Sequence, residues 1–175
     1  MPLLHVYDDR CLQCRWRRDS SEGCGGDRGR EDENNCMIDF NSKLGRLAKK
    51  HIKSEYFIWL TTVDSTGTPQ PRPVWFVWED DSFLMYSQAK AHKLKHIQRN
   101  PQVALHFNTE DDLGEERIII FSGEAKIDEH CPPAEKNRAY MKKYKSGIAR
   151  LGATPEQFGN EYSVAVRITP TKLRG

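Results

Sequence analysis

From Phe40 onward the apolar positions follow two rhythms, and each change of rhythm marks an element. Phe40, Leu44, Leu47, Ala48 and Ile52 recur at helical spacing, which predicts a packing helix with Asp39 as its cap. Tyr56 to Val63, rich in aromatic and β-branched residues, predicts the first strand. Asp64-Ser65-Thr66-Gly67 is a turn that returns the chain as a hairpin. Pro69, Pro71 and Pro73 then keep the next strand out of a continuous ladder and place it at an edge, a rim or a bulge. That strand runs on through Val74 to Trp78. After the turn Glu79 to Ser82, the unbroken apolar run Phe83-Leu84-Met85-Tyr86 reads as a buried strand.

A polar turn leads from Tyr86 into a short basic helix that Pro101 closes, with Ala91, Leu94 and Ile97 on its inward face. Gln102 to Asn108 is a fourth strand, Thr109 to Glu116 an exposed acidic loop, and Arg117 to Ile127 a fifth strand with Gly123 as the expected bulge. Pro132 to Leu151 carries Ala139, Tyr140, Tyr144 and Ile148 at helical spacing, and Gly152 ends that helix. A short helix follows at Pro155 to Phe158 with Thr154 as its cap, and Tyr162 to Ile168 closes the pattern as a strand. Short strands joined by loops too brief for parallel crossovers, with helices grouped between them, give an α+β class built on an antiparallel barrel.

Charge divides the chain. The net charge of +2 conceals a tail, residues 1 to 36, with six Arg against eight acids, and a body with 21 basic against 17 acidic residues. The tail has few apolar residues after Tyr7 and a Gly-rich patch from Gly23 to Gly29, so it cannot bury enough area to offset its ordering entropy and is expected to be flexible. Because Met37 precedes the first periodic element, residues 1–36 are expected to be a non-native extension and 37–175 the domain proper. A regulatory or metal-binding tail is the alternative. Cys11 and Cys14 have ligand spacing, but Cys24 and Cys36 form no second pair, so no metal site is predicted. No apolar run approaches the ~18 residues of a membrane helix, and no signal-peptide block opens the chain, which predicts a cytoplasmic protein without membrane contact.

The chemistry concentrates between Tyr86 and Asn100. Gln88 to Asn100 contains no acid to neutralise Lys90, Lys93, Lys95 and Arg99. A helix start with free N–H groups, a hydroxyl at Ser87 and lysines in the first turns is the layout of an anion site. The same run also reads as a solvated basic face. His92 and His96 share a helical face, yet no third ligand stands near them. The paired acids Asp111-Asp112 and Glu115-Glu116 lie in a polar loop with no dry pocket to separate their pKa values. No nucleophile motif, P-loop or dinucleotide fingerprint is present, and no catalytic side chain is assigned.

The order Trp59-Leu60-Thr61-Thr62-Val63-Asp64, Gly67, Pro71-Arg72-Pro73-Val74-Trp75-Phe76, Tyr86-Ser87, Lys93, Ile97 and Asn100-Pro101 resembles the pyridoxamine 5'-phosphate oxidase-like flavin split barrels. The ending from Tyr162 to Gly175 is most similar to the branch named for the deazaflavin coenzyme F420. The resemblance covers about residues 40 to 175. It implies a split barrel with flanking helices and a homodimer whose cofactor lies in a groove between subunits. The phosphate positions match Tyr86, Ser87 and Lys93, with Lys90 and His92 beside them. The strand flanking the cofactor ring matches Arg72, Val74, Trp75 and Phe76.

Flavin-binding members related to the vitamin enzyme carry an Arg-Lys pair where this chain has His92-Lys93, and a neutral His grips phosphate less firmly. The C-terminal pattern that binds pyridoxal is also not visible, so vitamin B6 synthesis is not predicted. The leading expectation is an oxidoreductase that uses reduced F420 to deliver a hydride to a small conjugated acceptor. An FMN-dependent oxidoreductase with the same site is the alternative, as is a non-catalytic flavin- or haem-binding stress protein. A single-strand nucleic-acid groove built from Trp75, Phe107, Lys93 and Lys95 is disfavoured by the acidic loop and the small net charge. No nucleic-acid partner is therefore expected.

Overall fold

The computed structural model describes residues 38–107 and 118–175, so expectations for the tail and for the acidic loop lie outside the described residues. Helix α1 (Lys43–Ser54) lays Ala48 and Ile52 into the main core, with Phe40, Leu44 and Leu47 packed at its margin, as the spacing predicts. Its cap is Ser42 and not Asp39. The Ser42 hydroxyl oxygen accepts the Gly45 N–H at 3.0 Å, while the Asp39 carboxylate turns back to the Asn41 N–H at 2.8 Å. A Cβ at Gly45 would overlap the Asp39 carbonyl oxygen and the Phe40 backbone. Gly45→Ala is therefore expected to cost about 1–3 kcal/mol in urea unfolding despite alanine's better helix propensity; an unchanged midpoint would refute the close approach.

Strands β1 (Phe57–Val63), β2 (Pro69–Trp75), β3 (Val77–Glu79), β4 (Ser82–Ser87), β5 (Gln102–His106), β6 (Ile120–Ile127) and β7 (Val164–Arg174) form one antiparallel sheet in the order β2-β1-β5-β6-β7-β4-β3. The proline-rich β2 lies at an edge, where missing N–H donors cost no ladder bonds. Only Phe76 separates β2 from β3, yet they pair on opposite edges, so the sheet must curl into a half-barrel. The expected continuous strand from Pro69 to Trp78 is thus corrected: it breaks at Phe76. Asp80 and Asp81, at φ 49° and 51°, make the tight β3–β4 hairpin turn.

The sheet is covered on both sides of β4, which explains its unbroken apolar run. Phe83 and Met85 join the main core inside the curl, whereas Leu84 and Tyr86 join a second cluster under the C-terminal helices. Helix α2 (His92–Arg99) packs Leu94 and Ile97 inward. The register of β6 with β7 shifts between Ser122 and Gly123, where a Cβ would sit 2.8 Å from the Thr169 carbonyl oxygen; the expected bulge is there. The helix expected over Pro132–Leu151 divides into a 3-10 turn (Ala134–Lys136) and α3 (Arg138–Arg150), because Asn137 caps α3 through the Tyr140 N–H at 2.9 Å. Helix α4 (Pro155–Glu161) starts on a Thr154–Gln157 capping box. None of the described helices is long and apolar enough to cross a membrane.

Arg167 ties the end of the barrel together. It donates to Asp128 at 2.9 Å and to the Ser82 hydroxyl at 2.9 Å, and its bond to Asp128, with the His130 N–H beside it, holds the Asp128 carboxyl below the usual carboxylate range. A depressed folded-state pKa contributes stability above the unfolded value and loses it as pH falls. Urea midpoints of the parent should therefore drop below about pH 4, and Asp128→Asn should flatten that drop. Parallel pH profiles would show that the pair contributes nothing.

Candidate functional site

The break at Phe76 builds the site. Its N–H donates to the Tyr144 hydroxyl at 2.8 Å, and its carbonyl accepts from Lys143 Nζ at 3.0 Å and lies 2.7 Å from the same Tyr144 oxygen. The tyrosine hydroxyl also lies 2.8 Å from the Tyr56 carbonyl. Helix α3 thus satisfies the backbone where the ladder stops. Just before the break, Trp75 stacks on Tyr144 with centroids 4.6 Å apart and rings 2° from parallel, and lies 5.7 Å from Phe158 on α4. Gly147 leaves room for this, since a Cβ there would meet the indole at 3.0 Å.

Two cavities adjoin at Pro73 and Lys93. The first, about 180 Å³, is walled by Phe57, Val74, Trp75, Tyr86, Tyr140, Leu151, Phe158 and Tyr162. The second, about 410 Å³, is walled largely by polar residues, Thr62, Asp64, Gln70, Arg72, His92 and His96. Pro73 and Lys93 line both, so the two adjoin and Lys93 stands at their shared wall. Burial, and next the charge of Arg72, pull the Lys93 amine below the usual lysine value. No carboxylate among the described residues lies within ion-pair distance of Lys93 or Arg72.

Asp64 shares the polar cavity, but its carboxylate is already engaged. It accepts from the Thr66 hydroxyl at 2.7 Å, the Thr66 and Thr68 N–H groups at 2.9 and 3.1 Å, and Gln70 Nε2 at 2.9 Å. These bonds hold its carboxyl far below the ordinary range. Helix α2 opens on Ala91, which supplies no side-chain cap; the Leu94 N–H donates to the Ala91 carbonyl at 3.1 Å, which leaves the His92 and Lys93 N–H groups for an anion. An aromatic slot beside a cationic groove is suited to a planar ring that carries a phosphate.

Of the residues expected at the site, Arg72, Val74, Trp75, Tyr86, His92 and Lys93 line the adjoining cavities. Three do not. Phe76 is fully buried with its ring against Phe83 and Phe107, because the crossover turns it into the core. Ser87 ends β4 fully covered, five positions before the helix begins, and its hydroxyl donates to the Gln88 carbonyl at 3.3 Å. Lys90 is exposed in the turn ahead of α2 and borders neither cavity. The Tyr86 hydroxyl likewise points away from the groove and donates to the Pro132 carbonyl at 2.8 Å, so Tyr86 enters the slot as a ring. His96 is held by Thr62 at 2.9 Å. Sequence reading missed Phe57, Tyr140, Leu151, Phe158 and Tyr162, whose apolar periodicity is equally that of a core.

The fold is found in other proteins. A conserved hypothetical protein of Mycobacterium tuberculosis superposes with a TM-score of 0.61 at 21% identity, over 74% of this chain and 81% of its own. An F420 reductase superposes with a TM-score of 0.54 at 22% identity, over 72% of this chain and 94% of its own. In sequence, the chain is 33% identical over 82 residues to a pyridoxine/pyridoxamine 5'-phosphate oxidase 2 of Hydrogenovibrio crunogenus. That match takes in 44% of this chain and 38% of the oxidase, so the chain spans well under half the length of the curated relatives it matches. The family model described as pyridoxamine 5'-phosphate oxidase matches residues 45–175, from the first turn of α1 to the end of β7. The expected split-barrel kinship is borne out, and the chain belongs to the pyridoxamine 5'-phosphate oxidase family.

Proposed function

We propose that the protein is an oxidoreductase that binds reduced coenzyme F420 and reduces a small conjugated organic acceptor. The observation that carries this reading is the position of Lys93, where an aromatic slot adjoins a groove whose two cations, Arg72 and Lys93, form no ion pair with any carboxylate among the described residues. The residues fit such a group: Trp75, Tyr86, Tyr140 and Phe158 would flank the ring, and Lys93, Arg72, His92 and the first turn of α2 would hold the phosphate. When bound, the deazaflavin supplies the hydride, and the protein's part is to hold the ring, exclude water and shape the acceptor cleft. No side-chain acid or base is required for that role.

Two features favour the deazaflavin over FMN. The groove, at 410 Å³ against 180 Å³ for the slot, has room beyond one phosphate, and F420 carries a carboxylate-bearing tail past its phosphate where FMN ends. His92 also replaces the firmer arginine grip expected of a flavin-phosphate site. Separate fluorescence titrations with F420 and FMN test the choice. Tighter FMN binding would favour the alternative cofactor.

The slot is open on one side, where Phe57 and Leu151 are 53% and 63% exposed and Tyr56 beside Tyr144 is 55% exposed. Such a patch beside a ring site calls for a cover, and a second copy of the chain is the reading proposed. Light scattering at micromolar concentration should report a dimer, and Leu151→Glu should shift it toward monomer and weaken cofactor binding. A monomer that binds cofactor fully would overturn the interfacial site.

A further inference from the structure

On the other side of α3, a cavity of about 490 Å³ opens between α1, α3 and β3, and it shares no lining residue with the adjoining cavities. Its walls are apolar: Phe40 and Trp78 meet edge to face at 5.5 Å, and Ile52 and Val77 continue the surface. Lys49 and Lys53 from α1 and Lys143 from α3 supply its cations. Among the described residues Asp81 is the one carboxylate on its wall, and it lies at the exposed hairpin tip.

Lys143 distinguishes this cavity from an ordinary basic surface. Its ammonium lies 3.7 Å from the centroid of the Phe76 ring and gives one hydrogen bond, to the Phe76 carbonyl at 3.0 Å. An ammonium has three donors, so two remain for a ligand. No carboxylate among the described residues forms an ion pair with Lys143, Lys49 or Lys53. A half-covered cation with spare donors at an aromatic wall is costly to leave unmatched, and an incoming anion with an apolar body would match both surfaces at once.

We propose that this cavity is a second ligand site, separate from the cofactor site, and that it takes an amphipathic carboxylate. The carboxylate sits against Lys143 with Lys53 and Lys49 at the mouth, and the alkyl or aryl body lies along Phe40, Ile52, Val77 and Trp78. Burial draws the Lys143 amine down to about 8, the charge of Glu55 opposing the shift. The charged groups facing that amine are thus Lys49, Lys53, Asp81 and Glu55. Binding requires the protonated amine, so affinity falls as pH rises through that value.

The test uses the full chain, with octanoate as probe and 1-octanol as its uncharged match, titrated by calorimetry. Octanoate should bind roughly tenfold more tightly than octanol at pH 7, and lose that advantage by about pH 9. Lys143→Met should abolish both the advantage and its pH dependence. Lys53→Glu, an exposed change that leaves the fold intact, should weaken octanoate roughly tenfold and spare octanol. Lys93→Ala should change neither. Equal affinities for the two probes, an octanoate affinity indifferent to Lys53→Glu, or a loss on Lys93→Ala would each overturn the site. None of these results depends on which cofactor, if any, the other cavities hold.

Discussion

Lys93→Ala is expected to weaken cofactor binding ten- to hundredfold, the loss of one charge-assisted phosphate contact worth about 1.5 to 3 kcal/mol. Lys93 is the cation that lines both the aromatic slot and the polar groove, and Arg72 cannot replace it at their shared wall. Lys95→Ala is the control. Two residues along α2, Lys95 is exposed and borders a different cavity with Gln98 and Asp128. Added salt should weaken binding to the parent more steeply than to the Lys93 variant. A solvated basic face predicts small and similar effects from both substitutions, and that outcome would remove α2 from the phosphate site.

Tyr144→Phe should lower stability by about 1 to 3 kcal/mol, read as a fall in the urea midpoint at unchanged slope. The ring, and so the stack on Trp75, is kept, but the hydroxyl that accepts the Phe76 N–H is lost. Lys143 still serves the Phe76 carbonyl, so the cost falls on the buried Phe76 N–H and on the Tyr56 carbonyl that also lies at the lost hydroxyl. The same change should loosen Trp75 and weaken cofactor binding modestly. Wild-type stability in the variant would mean that the crossover is held by packing alone.

Sequence reading reached the strands, the β2 edge, the Gly123 bulge and the helical faces because each is written in local periodicity or in a residue with one conformational use. The break at Phe76 was not legible. Val74-Trp75-Phe76-Val77-Trp78 is uniformly apolar, and only the closure of the curled sheet decides that its halves pair on opposite edges. The cap of α1 was misread for a related reason: Asp39 and Ser42 are both good caps, and the close packing of Gly45 on the preceding turn selects Ser42.

At the site, the run from Gln88 to Asn100 without an acid marks Lys93, since charge that is not neutralised locally is visible in the chain, whereas Arg72 and Phe76 rest on the family resemblance alone. The burial of Ser87 and Phe76 depends on contacts from distant strands and helices. The aromatic slot was hidden for the opposite reason. Tyr140, Phe158 and Tyr162 repeat as core residues do, and a pocket wall differs from a core only in what it leaves unfilled.

The most direct test of the account is a pair of titrations of the purified full-length protein, one with coenzyme F420 and one with FMN, followed by fluorescence at low salt. The account predicts saturable binding of both with F420 the tighter, and a marked loss of both in Arg72→Ala and Lys93→Ala. Failure of F420 to bind, tighter binding of FMN, or binding indifferent to both substitutions would contradict the assignment of the adjoining cavities as a deazaflavin site.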